Sequence, residues 1–381
     1  MKVAILATDN REQHQRYDVE TPYFEPAVTA ILNGFTLLPG DLEIHVVSCA
    51  KRAMNVPSKL APNIHFYQPT VPYLGWGRTA FAGCALTVRK LLKELQPDLV
   101  HGQGTERDCA ISAVYSGFPN VITIHGNMQR IHRMKLLGAN SYYWLASKLE
   151  THALARTAGV FCNSIHTRSL VEGRTQKTWL VPNPLRPAFL DPGAPEIRRN
   201  PVPVFLVVGV VTRLKRPLEI LQTMKNLFEA GHRFVVRFAG FHSTDHAYGI
   251  KFQELLEEAR HLGYAEYAGV LNEAELIRAM DDADALIHFP EEEAFGLVVA
   301  EALARNLKVF AARIGGIPDI LDGTAGSELF DHLNELAAGI GQWIANGFPP
   351  PSGNPEIMAR RYAPGVIARH HLDIYKEVLT K

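Results

Sequence analysis

The chain has 381 residues, 47% of them apolar and 20% charged, and its 39 basic and 39 acidic side chains cancel. That composition fits a soluble globular protein and excludes a disordered or fibrous one. At about 150 residues per domain the length implies two or three cores, and two are expected here.

No apolar run approaches the roughly 20 residues that cross a bilayer, and the apolar opening Met1–Ala7 is too short for a signal-peptide core, so a cytoplasmic protein is expected. Charge is unevenly spread. Residues 1–190 carry 20 Lys and Arg against 13 Asp and Glu, and 126–190 carry nine basic side chains against Glu150 and Glu172 alone. The excess fits an anionic acceptor, peripheral contact with the inner face of an acidic membrane, or an ordinary solvated face. No nucleic-acid partner is expected. Cys49, Cys84, Cys109 and Cys162 lie far apart in the sequence without a C-x-x-C, which reads as buried free thiols, with no disulfide or metal site.

Short apolar runs alternate with amphipathic stretches throughout, the pattern of parallel β-α-β units. In the first half, strands are predicted at Lys2–Ala7, Glu43–Ser48, Asp98–His101, Val121–His125 and Val160–Asn163. Helices are predicted at Thr79–Leu95, Arg107–Ser116 and Ser141–Arg156. Val181–Pro203 holds seven prolines and reads as a linker. A second series follows at Val204–Gly209, Phe234–Ala239, Ala265–Ala268, Ala285–Phe289 and Lys308–Ala311. The expected class is therefore α/β, with two Rossmann-like domains facing a cleft: 1–190, and 200–363. A terminal helix near 364–381 is assigned to the first domain.

Several residues suggest chemistry. His125 and His101 each end a predicted strand and read as acceptor-side residues, with a satisfied structural histidine as the alternative, above all for His101, and the cluster around Arg130 and Arg133 (QRIHRMK) could receive a negative acceptor group. The aromatic run Pro72–Arg78 offers rings to a sugar, or a plain loop anchor. Val208–Pro217 closes a buried strand and opens a helix, placing Arg213 and Lys215 at the carboxyl edge of the sheet, where open α/β sheets bind ligands. Glu293 and Glu301 stand eight apart around the start of a helix expected over Ala294–Arg305, with Glu293 at its mouth and Glu301 two turns in. Free amides there attract phosphate, and Gly296 allows close approach. Gly315-Gly316 is either a second amide lining or a plain turn. Asp282-Ala283-Asp284 spells a metal-binding D-x-D, but sits between a helix and a strand and reads as a turn.

The stretch Pro290, Glu293, Phe295-Gly296-Leu297, Glu301-Ala302, Gly315-Gly316 and Pro318 resembles the E-x7-E signature of the retaining GT-B glycosyltransferases, in particular the large fourth family (glycosyl transferases group 1). The resemblance implies a nucleotide-diphosphate sugar as donor substrate, an acceptor of unassigned class (glycan, lipid-linked or small molecule), a role in glycan biosynthesis, a retaining hexosyltransferase type of reaction, and no cofactor or metal. It places Glu293 on the donor sugar, Glu301 on the ribose, the backbone of Phe295, Gly296 and Leu297 on the phosphate, Lys215 on the diphosphate, Gly269-Val270 beside the base, and His125 beside the reacting sugar. The chain departs from the pattern twice. Val210 stands where an arginine is common, leaving that task to Arg213 or the site to a single cation. A polar loop, Thr8–Pro26, with Arg11, Arg16, Tyr23 and Glu25, replaces the glycine pair after the first strand, and acceptor choice is expected there.

A Rossmann dehydrogenase lacks support, because no G-x-G-x-x-G follows the first strand, and Gly102-x-Gly104 is followed by Thr105 and Glu106, the latter repelling a pyrophosphate. A GT-B nucleotide-sugar epimerase or phosphorylase, or a non-catalytic sugar-nucleotide-binding protein, remains as an alternative on the same scaffold.

Overall fold

The computed structural model describes residues 1–38, 40–135, 141–191 and 200–380, and for Lys135 the backbone only. The chain forms two compact units, Met1–Arg186 with Tyr362–Lys381, and Pro187–Arg361. Each is an α/β layer structure around a twisted, largely parallel sheet.

The first sheet has eight strands: β1 (Lys2–Leu6), β2 (Glu43–Val47), β3 (Lys59–Ala61), β4 (Ile64–Tyr67), β5 (Leu99–Gln103), β6 (Asn120–Ile124), β7 (Val160–Cys162) and β8 (Thr178–Leu180), in the order β3-β4-β2-β1-β5-β6-β7-β8. Only β3 runs antiparallel. Val3, Ile5, Val46 and Leu99 are buried because helices cover both faces of a parallel sheet, which is why these strands read as continuous apolar runs. The terminal helix Pro364–Leu379 packs on this unit through Ile367, Ala368, His371, Ile374 and Tyr375, an i, i+1, i+4, i+7, i+8 stripe against Phe35 and Phe161.

The second sheet comprises β9 (Val204–Val208), β10 (Val235–Ala239), β11 (Ala265–Gly269), β12 (Ala285–His288), β13 (Lys308–Ala312) and β14 (Ser327–Phe330). Its order, β11-β10-β9-β12-β13-β14, is all parallel and reverses direction between β9 and β12. Pairing of those two strands covers only Phe205↔Ala285 and Leu206↔Leu286, so their carboxyl ends part and leave room for the loops that follow. That is the topological switch point at which such sheets bind ligands.

Three sequence expectations change. The helix expected from Thr79 begins at Ala82, behind two 3₁₀ turns, and that expected over Arg107–Ser116 shortens to Cys109–Val114. Positions 192–199 of the expected linker lie outside the described residues, and part of the remainder is ordered, with Pro187–Leu190 forming a helical turn. No described helix is long and apolar enough to cross a membrane.

Candidate active site

In the second unit, the loop after β9 brings Lys215 and the loop after β12 brings Glu293 to the switch point. The Glu291 amide donates to the Leu214 carbonyl at 2.8 Å, which ties the two loops together. Lys215 Nζ lies 2.7 Å from Glu293 Oε2, and His288 Nε2, at the end of β12, lies 2.9 Å from the same oxygen. Burial alone would push the Glu293 carboxyl up, but the hydrogen bond from His288 and the Lys215 charge overcome it and hold the group down at about 2. Burial lowers the His288 pKa in turn, against the pull of Glu293. His288 is therefore neutral at pH 7 and donates through Nε2–H, leaving Lys215 as the formal cation of the trio.

The helix that follows runs Leu297–Ala304, three residues shorter at its start than expected. Gly296 takes φ +99°, a left-handed conformation open to glycine, and ends the loop as the N-cap. Glu293 therefore sits on the preceding loop, not at the helix mouth, and Glu301 is about one turn in, not two. Glu301 is only 2% exposed. The opening amides of the helix, Leu297 and Val298, lie beyond its internal bonding pattern and carry the positive end of its dipole. Phe295 is buried.

Gly315, at φ +60°, packs directly on Glu293: a Cβ there would fall 1.7 Å from the Glu293 carbonyl oxygen, and the Gly316 amide donates to that same oxygen at 3.2 Å. The glycine pair thus fixes the Glu293 backbone. Arg213, Val210 and Val270 are exposed. Asp284 of the D-x-D accepts from the Val204 amide at 2.8 Å and from Asn200 at 2.9 Å, holding the start of β9.

In the first unit, His125 follows β6. Its Nε2–H donates to Gln103 Oε1 at 3.0 Å, and burial lowers its pKa to about 4, so it is neutral. The other half of that amide, Gln103 Nε2, approaches His101 Nε2 at 3.3 Å. Thr123 Oγ1 lies 2.7 Å from the same nitrogen and Tyr375 Oη 2.6 Å from His101 Nδ1. One set of proton positions fits these distances: His125 donates to Gln103, Thr123 donates to the single lone pair of His101 Nε2, which the Gln103 amide approaches less closely, and His101 donates to Tyr375. This corrects the reading of His101 as an acceptor-side residue. Its ring is fully buried and both nitrogens are engaged, so it braces His125 from behind.

Arg130 and Arg133 lie exposed on the helix Met128–Lys135, whose start is capped by Asn127 Oδ1 accepting from the Arg130 amide at 2.8 Å. Arg11 is not a loop-surface group: it is 0% exposed, ion-paired to Asp9 at 2.7 Å, and donates to the carbonyls of Glu20 and Asn55. That pairing folds Thr8–Pro26 onto itself.

Sequence reasoning passed over two residues. His288 carried a usable signal, a histidine closing a buried strand next to the switch point. Glu106 was read only as repelling a pyrophosphate. Its Oε1 accepts from the Gly126 amide at 3.0 Å, adjoining His125, and burial, reinforced by Glu150, pushes its carboxyl up to about 7. The cysteines are free, but Cys49 and Cys84 meet in space, their sulfurs and an Asp108 oxygen lying within 4.8 Å of one another. The hydrogen bond to Cys84 and burial push the Cys49 thiol up.

Two family models match the chain: residues 40–189 fit the one described as Glycosyltransferase Family 4, and residues 195–353 the one described as Glycosyl transferases group 1. A D-inositol 3-phosphate glycosyltransferase from Corynebacterium kroppenstedtii is 30% identical over 197 residues, covering 47% of this chain and 41% of that protein. The phosphatidylinositol N-acetylglucosaminyltransferase gpi3 subunit of Schizosaccharomyces pombe is 22% identical over 315 residues, 74% of this chain and 65% of that protein. The chain thus matches between two fifths and two thirds of the length of these relatives. Among solved structures, a sucrose-phosphate synthase from Thermosynechococcus elongatus superposes with a TM-score of 0.70 at 14% identity, covering 100% of this chain and 99% of that one. HepE from Anabaena, solved with UDP and glucose, superposes at 0.67 and 14%, covering 99% of both. At such identities the likeness establishes the shared fold.

Proposed function

We propose that this chain, which belongs to the GT-B glycosyltransferases, moves a hexosyl group from a nucleoside-diphosphate sugar to an acceptor hydroxyl and retains the anomeric configuration. The observation that carries this reading is the Lys215–Glu293–His288 trio, assembled at the switch point beside the first amides of the helix Leu297–Ala304. The UDP and glucose held by the Anabaena neighbour support a nucleotide-sugar donor here.

Breaking the bond between the anomeric carbon and the diphosphate oxygen leaves positive charge on the sugar and one further negative charge on the leaving diphosphate. Lys215, with Arg213 within the same loop, and the helix amides absorb the latter without need of a metal. Glu293, ionised and fixed by His288 and Gly316, accepts from donor-sugar hydroxyls, while Glu301 serves the ribose and the exposed Val270 lies beside the base. The acceptor oxygen then bonds to the anomeric carbon on the face the diphosphate leaves, and its proton passes to a departing phosphate oxygen. On the acceptor side, neutral His125 orients hydroxyl groups.

The test is a thermal-shift panel of nucleotide sugars, followed by NMR of the product anomer. Stabilisation by one nucleotide sugar and a product with the donor's configuration are expected. An inverted product overturns retention. Binding with neither transfer nor donor hydrolysis would make the protein a non-catalytic binder.

A further inference from the structure

The first unit holds a hollow of about 590 Å³ that the proposed chemistry does not use, within the size range of small-ligand sites. Its walls combine Tyr73, Trp76, Tyr142 and Trp144 with three cations, Lys51, Arg78 and Arg107, and no carboxylate among the described residues lines it. Trp76 is a fixed platform, buried and donating its indole N–H to the Val71 carbonyl at 3.1 Å. Lys51 and Arg107 each lie 5.4 Å from its ring centre, so the indole holds two positive charges at the wall. Tyr73 and Tyr142 are 66% and 47% exposed and present open rings. Among the described residues, neither Arg78 nor Arg107 has an ion-pair partner. A second hollow of about 640 Å³, lined by Glu12, Gln13, Tyr17 and Arg52 from the neighbouring loops, shares Lys51 and Tyr73 with the first, and Glu12 lies 4.0 Å from Lys51, so among the described residues Arg78 and Arg107 are the cations of the first hollow with no acidic partner.

The hollow is joined to the His125 centre. The Tyr142 hydroxyl donates to the Glu106 carbonyl, and the Glu106 carboxylate receives the Gly126 amide next to His125. We infer that this hollow binds the acceptor as an anionic saccharide, its ring stacked on Tyr73 or Tyr142 and its charged group received by Arg78, Arg107 and Lys51. The inference rests on the transferase reading above for the word acceptor, but not for binding itself. A concave wall with rings set at its rim and cations beside them suits a sugar ring that stacks while its charged group is held.

The experiment titrates the whole protein, followed by tryptophan fluorescence, with a glucuronic-acid disaccharide, its neutral methyl ester, a sugar phosphate, and phosphatidylglycerol vesicles. The two acidic sugar probes separate a carboxylate from a phosphate as the charged group. At least one is expected to bind about tenfold more tightly than the ester, and Arg78→Gln with Arg107→Gln should lose about tenfold in that affinity. Tyr73→Ala, an exposed change that leaves the core intact, should weaken both acidic and neutral probes. Failure of both acidic sugars to bind more tightly than the ester, an unaffected double variant, or binding to vesicles alone would overturn the site. UDP-sugar binding is measured in parallel: if it persists while the acidic sugars fail, this inference falls alone, and if the acidic sugars bind while every nucleotide sugar fails, the transferase reading falls and the saccharide site stands.

Discussion

Lys215 and Glu293, separated by 78 positions in the chain, form an ion pair of 2.7 Å in which the carboxylate is mostly buried and the ammonium about one-third exposed. The pair joins the two strand ends that flank the switch point, so each side chain has a second task besides its ligand: it holds the other in place. A diphosphate arriving at Lys215 therefore competes with, or shares, the charge that keeps Glu293 ionised.

Lys215→Ala should weaken nucleotide-sugar binding by about tenfold to a hundredfold, the scale of a lost charge-assisted contact. Calorimetry with the donor identified by thermal shift measures it, and an unchanged dissociation constant would remove Lys215 from the donor site.

Glu293→Gln keeps the shape and an oxygen for His288 but lacks the charge. Turnover should fall by about two to three orders of magnitude while the fold is retained. Its pH signature is separate. Because the folded carboxyl titrates near 2, below the unfolded value near 4.5, the stability it contributes is present above pH 4.5 and is lost as pH falls towards 2. The variant should lack that part of the acid dependence in urea titrations.

Glu106 has the opposite sign. Its folded carboxyl titrates near 7, above the unfolded value, so its contribution is complete below pH 4.5 and is lost as pH rises through 7. Glu106→Gln should gain on the parent protein between pH 5 and 8, by up to about 3 kcal/mol. Unfolding midpoints at pH 5, 6, 7 and 8 test this, and parallel curves for the two proteins would place the carboxyl in water.

Gly315→Ala forces a Cβ against the Glu293 carbonyl in a left-handed conformation. The loop must shift, and donor affinity should drop by at least about tenfold with a loss of about 1–3 kcal/mol in stability. Activity and stability equal to those of the parent protein would show that the glycine pair does not set the Glu293 backbone.

Tyr375→Phe removes the end of the chain His125–Gln103–His101–Tyr375. A stability loss of about 1–2 kcal/mol is expected from the orphaned His101 nitrogen. If the chain also orients His125, kcat should fall several-fold at unchanged donor affinity, a split that a purely structural role would not produce.

The alternation of buried strands and the spacing of Glu293, Glu301 and Lys215 were readable because strand burial and a short motif leave local marks in the sequence. The start of the helix after Glu293 was not, since Ala294 and Phe295 suit a helix and only the left-handed turn at Gly296 delays it. Short edge strands such as β3 and β14 carry polar residues and exist through pairing with β4 and β13, a non-local cause. His101 kept two readings for a similar reason. A strand-end histidine looks the same in sequence whether it faces solvent or a tyrosine 274 positions later. Glu106 depends on burial beside Glu150, which no spacing encodes.

The helix Pro364–Leu379 completes a core whose other members lie before residue 187. During synthesis the ribosome therefore delivers every part of the second unit before it delivers the last piece of the first. The order of maturation is inverted relative to the order of translation: Pro187–Arg361 can close on itself early, while the half bearing His125 waits with Phe35 and Phe161 uncovered. Premature termination before Pro364 would thus strike the amino-terminal half, a dependence that ties the maturation of residues 1–186 to a helix synthesised after 187–361.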